Sequence, residues 1–312
     1  MTTTLAPAPA VRTAGSAWLF RFAAVLAVLT LLLIKWGALV VSSGSGMAFL
    51  DWPLSRGSLW PPEMTNNELL EHVHRVYGAV IGVSALVQWL WTCRIDPRGW
   101  LRQLTFGFGV LVLVQGLFGA LGVLKGEAGG VTHPVMATVH GVLGQVTLCL
   151  QVFIAFALSS AFGVRTVADR YAVLGTRKLA RTALIAVFVQ LVIGAIFRHT
   201  NVQGVLWVHI TMALVVSVLI LLAAAHSSAR FGDVVPAFRR TAIWFYALLV
   251  LQLTLGFVAI AVRKFKDSSS IDEPVQILLV SSHVLVGASI FALATLLVAR
   301  AQRNLSPRVE ST

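Results

Sequence analysis

The chain has 312 residues, of which 57% are hydrophobic and only 12% are charged. This composition excludes a soluble fold with a single core and predicts a polytopic membrane protein. The net charge of +12 does not indicate nucleic-acid binding, because the Lys and Arg residues cluster in short loops between apolar segments, where they act as a topology signal.

Eight apolar segments follow in chain order, each close to the roughly 20 residues that cross a bilayer. Residues 1–16, rich in Ala, Thr and Pro, are predicted to form a mobile tail. The first segment is too long for a signal-peptide core and no small-residue cleavage site follows it. The segments cover approximately residues 18–41, 74–91, 104–124, 134–159, 182–198, 205–225, 243–261 and 275–298. The predicted fold is therefore all-α, with eight transmembrane helices.

The distribution of the 24 Lys and Arg residues orients this bundle. Sixteen lie on the side of the membrane that holds both chain ends, seven lie on the other side, and Lys35 lies inside the first helix. The positive-inside rule then places both termini in the cytoplasm and the protein in the cell membrane.

Each even-numbered helix carries one histidine near its outer end: His74, His140, His209 and His283. Two neutral imidazoles from facing helices can close both axial positions of a heme iron while the apolar bundle solvates the porphyrin. Zinc needs a tetrahedral ligand set, which the sequence does not show, and the two cysteines, Cys93 and Cys149, are interpreted as inert thiols. The alternative is that each histidine makes only an interhelical hydrogen bond, but four equivalent positions favour ligands.

An internal repeat supports this interpretation. A Gln-x-x-x-Gly pattern occurs on the third, fifth and seventh helices, at 115–119, 190–194 and 252–256, whereas the first helix has only Gly37. We predict two pseudo-symmetric four-helix halves, 17–160 and 182–300, joined by a cytoplasmic linker at 161–181 and followed by a tail at 301–312. The glycines either let helices approach closely or leave room for a flat macrocycle.

Further polar residues lie near the histidines. Glu71 precedes His74 by about one helical turn, so its carboxylate could reach the rim of a ligated porphyrin and move protons or stabilise a cationic carbon. The alternative is that Glu71 caps the second helix. Arg75 and Arg198 are candidate propionate ligands or snorkelling side chains, and the same two roles are open to Lys35.

The remaining histidines are interpreted otherwise: His72 faces elsewhere on its helix, and His133, His199 and His226 are solvated at helix ends.

Several motifs together resemble those of the heme A synthase family. They are the Glu71-x-x-His74-Arg75 pattern, the Gly-Ser-Gly at 44–46, the Asp-Trp-Pro at 51–53, and the single histidines of helices four, six and eight. The resemblance covers nearly the whole chain. It implies oxidation of a heme O methyl group to a formyl group by two hydroxylations, giving heme A for cytochrome oxidase.

The resemblance also assigns roles to residues. It implies that His74 and His140 bind the iron of the substrate heme, that His209 and His283 bind a heme b cofactor, and that Glu71 is catalytic. The implied partners are heme O synthase, the cytochrome oxidase assembly process, an unnamed electron acceptor and membrane lipid.

Two positions depart from the family pattern. Phe49 stands where relatives often carry a cysteine in the first outer loop, so a thiol relay is excluded here. Val41 stands where relatives often carry an arginine, whose contacts must then be made by another residue such as Arg56 or Arg75.

Two other protein classes are alternatives to this one. In a diheme cytochrome of b type with a quinone partner, both hemes would be permanent and Glu71 incidental. A transporter fits poorly, because the ionisable groups lie near one face of the membrane and not at its midplane. The position before His209 that is equivalent to Glu71 is Leu206, so the oxidation is predicted to take place in the first four-helix half.

Overall fold

The computed structural model describes residues 3–5, 14–125, 133–264 and 273–308. The helices in these residues are α1 Ala14–Ser42, α2 Asn66–Ile95, α3 Gly99–Leu124, α4 Pro134–Leu158, α5 Arg170–Thr200, α6 Gln203–Phe231, α7 Pro236–Lys264 and α8 Glu273–Arg303. All eight are long and apolar enough to span a membrane. The predicted eight-helix membrane fold is thus confirmed.

Most of the helices begin before or end after the predicted apolar segments. The α2 helix starts at Asn66 because Thr65 and Glu68 form a capping box, in which the Glu68 carboxylate accepts a hydrogen bond of 2.8 Å from the Thr65 N–H. The α5 helix starts at Arg170, where Asp169 caps it by accepting from the Ala172 N–H. The second half of the predicted linker at 161–181 is therefore helical, since hydropathy detects only the part of a helix that crosses the hydrocarbon.

Packing follows chain order within each half. One buried apolar cluster draws only on α1 to α4, and the other draws on α5 to α8 with Cys149 and two short strands. The two groups meet through α1, α4, α5 and α8, since α1 packs against α8, and α4 against both α5 and α8. Two of the four histidine-bearing helices, α4 and α8, therefore lie at the interface between the two groups.

A three-stranded sheet joins distant segments on the side of the membrane where the chain ends lie. Its strands are β1 Thr3–Leu5, β2 Arg165–Ala168 and β3 Leu305–Pro307, with β1 antiparallel and β3 parallel to the central β2. The predicted tails at 1–16 and 301–312 thus contain strands, and α8 runs on to Arg303. Residues 1–2, 6–13 and 309–312 lie outside the described residues, so the tail prediction is untested there.

The α1–α2 connection, residues 43–65, folds onto the outer end of α2. Its backbone turns at Arg56 and Gly57, which both have positive φ, and the Asp51 carboxylate accepts hydrogen bonds from both amides at 3.0 and 2.8 Å. The Gly57 N–H in particular lowers the pKa of Asp51 below its usual value. The connection is therefore a folded cover over the outer end of the first half, which we call the outer loop.

Candidate functional site

The four repeated histidines form two facing pairs. The His74 and His140 ring centres lie 6.4 Å apart with their planes at 82°, and those of His209 and His283 lie 6.4 Å apart at 76°. Each pair joins the two even-numbered helices of one half. The structure therefore brings together the same pairs that were predicted from the repeat.

The separation within each pair fits a flat metal-bearing macrocycle. Two axial imidazoles on one iron need about 2 Å for each iron–nitrogen bond and about 1.1 Å more to each ring centre, which gives a separation of roughly 6.2 Å between the ring centres. A tetrahedral site would need more ligands, and the described residues contain no group of three or more His, Cys, Asp or Glu that could hold a metal ion. The donor set thus fits heme ligation at both pairs.

An unpaired ring nitrogen supports the same fit. The Nδ1 atom of His74 is buried and has no hydrogen-bond partner within the described residues, whereas the His209 and His283 rings bond to the backbone of Gln190 and Gln252. A buried polar atom without a partner is costly, by about 1–3 kcal/mol, so the His74 ring is suited to an additional ligand. At His140 the Nδ1–H donates to the Gln115 carbonyl at 3.1 Å, which leaves Nε2 as the free electron-pair donor.

Each ligand candidate rests on a glycine of the preceding helix. A β-carbon on Gly37 would lie 2.9 Å from Cε1 of His74, and one on Gly194 only 2.7 Å from Cε1 of His209. A β-carbon on Gly119 would lie 3.6 Å from Cε1 of His140, and one on Gly256 would lie 3.2 Å from Cε1 of His283. The repeated glycines therefore provide close contact with imidazole rings, and Gly37 completes the fourfold pattern.

The glutamines of the repeat contact the same rings or their backbone. The Gln190 amide donates to the His209 carbonyl at 2.9 Å, and the Gln252 Nε2 lies 3.3 Å from the His283 Nε2. The glutamine side chains thus contact the two histidines of the second pair, whereas His140 is contacted by the backbone carbonyl of Gln115. The first helix, with Leu33 in the glutamine position, does not supply this contact to His74.

Glu71 is buried, with 4% of its surface exposed, beside the first histidine pair. Its Oε2 accepts a hydrogen bond of 3.0 Å from the Phe49 N–H, and its Oε1 accepts from the Arg75 guanidinium. Because Thr65 and Glu68 already cap α2, the alternative that Glu71 caps this helix is wrong. The carboxylate instead joins α2 to the outer loop.

Arg75 fixes the outer loop by using all five of its N–H donors. Its Nη1 donates to the Asp51 and Leu54 carbonyls at 2.6 and 2.7 Å, and its Nη2 donates to the Phe49 carbonyl at 3.3 Å and to Glu71. The Nε–H also donates to Glu71 at 3.0 Å. Only 11% of this side chain is exposed, so Arg75 does not snorkel, and a propionate contact would require one of these bonds to break.

Two further cations bind neutral groups near α1. Arg198 Nη2 donates to the Ala38 carbonyl at 2.9 Å and to Ser42 Oγ at 2.8 Å. Lys35 Nζ donates to Ser282 Oγ at 2.6 Å. Both side chains thus connect α1 with helices of the second half.

Several contacts were not apparent from the sequence. His72 is buried, its Nδ1 lies 3.0 Å from Ser55 Oγ, and its ring packs edge-on against Trp60. His133 and His226, which were predicted to be solvated at helix ends, are half-buried, and one ring nitrogen of each is shielded from solvent. Helix periodicity cannot reveal such contacts, because the partners lie in the outer loop or on another helix.

Comparison with known proteins links this site to a family. Residues 20–202 match a family model described as cytochrome oxidase assembly protein; the match includes Glu71, His74 and His140 and ends before His209. The relatives include proteins named heme A synthase from three bacteria. The Lysinibacillus sphaericus protein is 30% identical over 188 residues, covering 58% of this chain and 58% of that protein.

The Symbiobacterium thermophilum protein is 36% identical over 97 residues, covering 30% of this chain and 31% of that protein. The Geobacillus kaustophilus protein is 26% identical over 276 residues, covering 77% of this chain and 81% of that protein. The matched segments therefore cover less than two thirds of the first two relatives and most of the third.

Proposed function

The chain belongs to the cytochrome oxidase assembly protein family, and from this membership we propose that it is a heme A synthase, an oxidoreductase that converts a methyl group of heme O to a formyl group. One observation carries the proposal: two histidine pairs have the same 6.4 Å separation, but only the first has a buried carboxylate one turn from a ligand candidate. The positions that correspond to Glu71 before the other three histidines are Ala137, Leu206 and Val280.

In this proposal the two pairs have different roles. His74 and His140 hold the iron of the heme O substrate, and His209 and His283 hold a heme b cofactor. A heme b held by His209 and His283 would supply one-electron redox chemistry to the substrate site. With water as the oxygen donor, each hydroxylation breaks a C–H bond, forms a C–O bond and releases two protons and two electrons, the electrons going to an electron acceptor, and the hydrate formed by the second hydroxylation loses water to give the formyl group.

Glu71 is proposed to act on the reacting methyl carbon. A carboxylate placed there can accept a proton or stabilise positive charge that develops on the carbon. Arg75 and the Phe49 N–H hold this carboxylate in one orientation, which supports a preorganised role. The outer loop limits access of water from outside, since Phe49 is buried beside Glu71.

We further propose the protein's surroundings from its topology and family. Both termini are placed in the cytoplasm and the protein in the cell membrane, because the arginines of the helix ends cluster on that side. A heme O synthase would supply the substrate, and assembling cytochrome oxidase would take the product.

A diheme cytochrome of b type is the second candidate, and the near-identity of the two histidine pairs favours it. Pigment extraction separates the two functions. The protein is expressed with a heme O supply, and the extracted hemes are identified by chromatography and mass. A synthase yields heme A or a hydroxylated intermediate together with heme b, whereas extraction of heme b alone would support the cytochrome.

A further inference from the structure

The outer loop reaches from α2 across to α3 near the first histidine pair. Arg75 of α2 donates to the Asp51 carbonyl at 2.6 Å. The next residue, Trp52, lies against α3, since a β-carbon on Gly116 would be 3.9 Å from its Cζ2 atom. Gly116 lies about one turn before the glycine that contacts the His140 ring. Trp52 therefore lies beside α3 close to the point where this helix supports a ligand candidate.

Trp52 also lies well below the outer end of α3. This helix ends at Leu124, just over two turns after Gly116, so the contact is about 12 Å along the axis from the helix end. Leu117 of α3 and Val76 of α2 are exposed at the same level, and Trp52 itself is 41% exposed. The indole ring is thus part of an apolar surface that suits contact with lipid.

The helices α2 and α3 form the side of the first half that is turned away from the second half. The α1 helix packs against α8, and α4 packs against α5 and α8, whereas α2 packs against α1 and α3. His74 on α2 faces His140 on α4 inside this group. A ligand that reaches the pair from the membrane must pass between two helices that face lipid, and the outer loop crosses the boundary between α2 and α3.

The equivalent place in the second half has a much shorter connection. The α1 and α2 helices are joined by residues 43–65, whereas α5 and α6 are joined by residues 201–202. Two sites with the same separation of their histidine rings thus differ in the segment that crosses the outer helix ends. A movable cover suits a site whose ligand enters and leaves in every cycle, and a permanent cofactor does not need one.

From this arrangement we infer that the substrate heme enters the first site from the lipid, between the outer ends of α2 and α3, and that Trp52 is the side chain that closes this route. The inference rests on the proposed function, because heme O carries a long isoprenoid tail that keeps it in the membrane. Opening moves Trp52 away from α3 and breaks the hydrogen bonds from Arg75 to the Asp51 and Leu54 carbonyls. The outer loop thereby closes over the substrate during the reaction and releases the product afterwards.

Heme uptake by the full-length protein in lipid vesicles tests the role of Trp52. Heme O is dissolved in the vesicle membrane, and its binding is followed through the change in its absorption spectrum. Trp52→Ala should take up heme O about tenfold faster, the change expected when one large aromatic contact is lost, and Trp52→Phe should stay near the wild type. An unchanged rate in Trp52→Ala would overturn the inference.

The matched control is the second tryptophan of the outer loop. Trp60 is 62% exposed and packs edge-on against His72 of α2, so its loss loosens the loop without opening the contact with α3. Trp60→Ala should therefore take up heme O at the rate of the wild type. Equal acceleration in Trp60→Ala and Trp52→Ala would contradict the specific role of Trp52.

A reversible cross-link tests whether the contact must open. Trp52→Cys and Gly116→Cys are combined after Cys93 and Cys149 have been replaced with Ala, and the two new thiols are joined by a short cleavable reagent. The joined protein should take up heme O at least about tenfold more slowly than before the reaction, and cleavage of the reagent should restore the rate. Uptake that the cross-link does not slow would overturn the inference.

The source of the heme separates entry from lipid from entry from water. Wild-type uptake should be faster from the vesicle membrane than from albumin that carries heme O in the outer solution, and the opposite order would reject the lateral route. These rates do not depend on turnover, so the proposed function fails separately. A wild-type protein that takes up heme O by this route but forms no heme A is not a synthase, whereas heme A formation with uptake rates that no variant changes rejects only the route.

Discussion

The contact between Gly194 and His209 gives a graded prediction about heme binding. A β-carbon in Gly194→Ala would lie 2.7 Å from Cε1 of His209, whereas ordinary contact begins near 3.4 Å, so the ring or the helix must move by about 0.7 Å. Overpacking of this kind costs about 1–3 kcal/mol, which corresponds to roughly five- to 150-fold weaker heme b binding. The higher helix propensity of alanine, up to about 1 kcal/mol, stabilises the helix but does not restore the ligand geometry.

The assay is titration of heme b into the apoprotein, with the low-spin spectrum and the melting temperature recorded for each variant. Gly256→Ala is the matched variant in the same site. Its added β-carbon would lie 3.2 Å from Cε1 of His283, a smaller steric conflict, so it should lose less heme b affinity. At the first site, the added β-carbon would lie 2.9 Å from the His74 ring in Gly37→Ala and 3.6 Å from the His140 ring in Gly119→Ala. Gly37→Ala should therefore weaken heme O binding more than Gly119→Ala. Equal affinities of Gly194→Ala and Gly256→Ala for heme b would refute the view that these glycines set the ring positions.

Two other predictions concern the ligands and the outer loop. Replacing either His209 or His283 with Ala should remove the low-spin heme b spectrum from the purified protein, and an unchanged spectrum rejects that pairing. The hydrogen bond from the Gly57 N–H is the main cause of the lowered pKa of the Asp51 carboxyl. At a pH above the ordinary pKa of a carboxyl, the charged Asp51 should therefore stabilise the outer loop, and this stabilisation should be lost as the pH falls through the lowered pKa. Limited proteolysis of the loop should therefore increase on acidification in the wild type and depend less on pH in Asp51→Asn; equal pH dependence in the two proteins would contradict this.

The helices and the histidine pairs could be predicted because membrane burial leaves a strong pattern in the sequence. An ionisable residue such as His74 or His209 is conspicuous in an apolar segment, and its recurrence at similar offsets indicates a common role. The motif glycines were also recognised, although the sequence left open whether they face a ring or a macrocycle. Their contact with the imidazoles depends on helix rotation, which tertiary packing determines.

The outer loop and the strands could not be predicted, because their partners are distant in sequence. Phe49 and Glu71 come together through a backbone hydrogen bond that leaves no periodic signal. The Thr65 cap was missed because α2 begins well before its apolar segment. The strands β1 and β3 pair with β2 from opposite ends of the chain, and such long-range pairing is set by the folded helices and not by local propensity.

The measurement that tests the central claim most directly is the heme content of Glu71→Gln, compared with Thr65→Ala as a control for stability. Loss of the Thr65 cap should cost about 1 kcal/mol and lower the melting temperature while heme A is still formed. Glu71→Gln should keep both hemes bound, yet heme A should disappear from the extract while heme O or a hydroxylated intermediate accumulates. Normal heme A output from Glu71→Gln would contradict the catalytic role of this carboxylate.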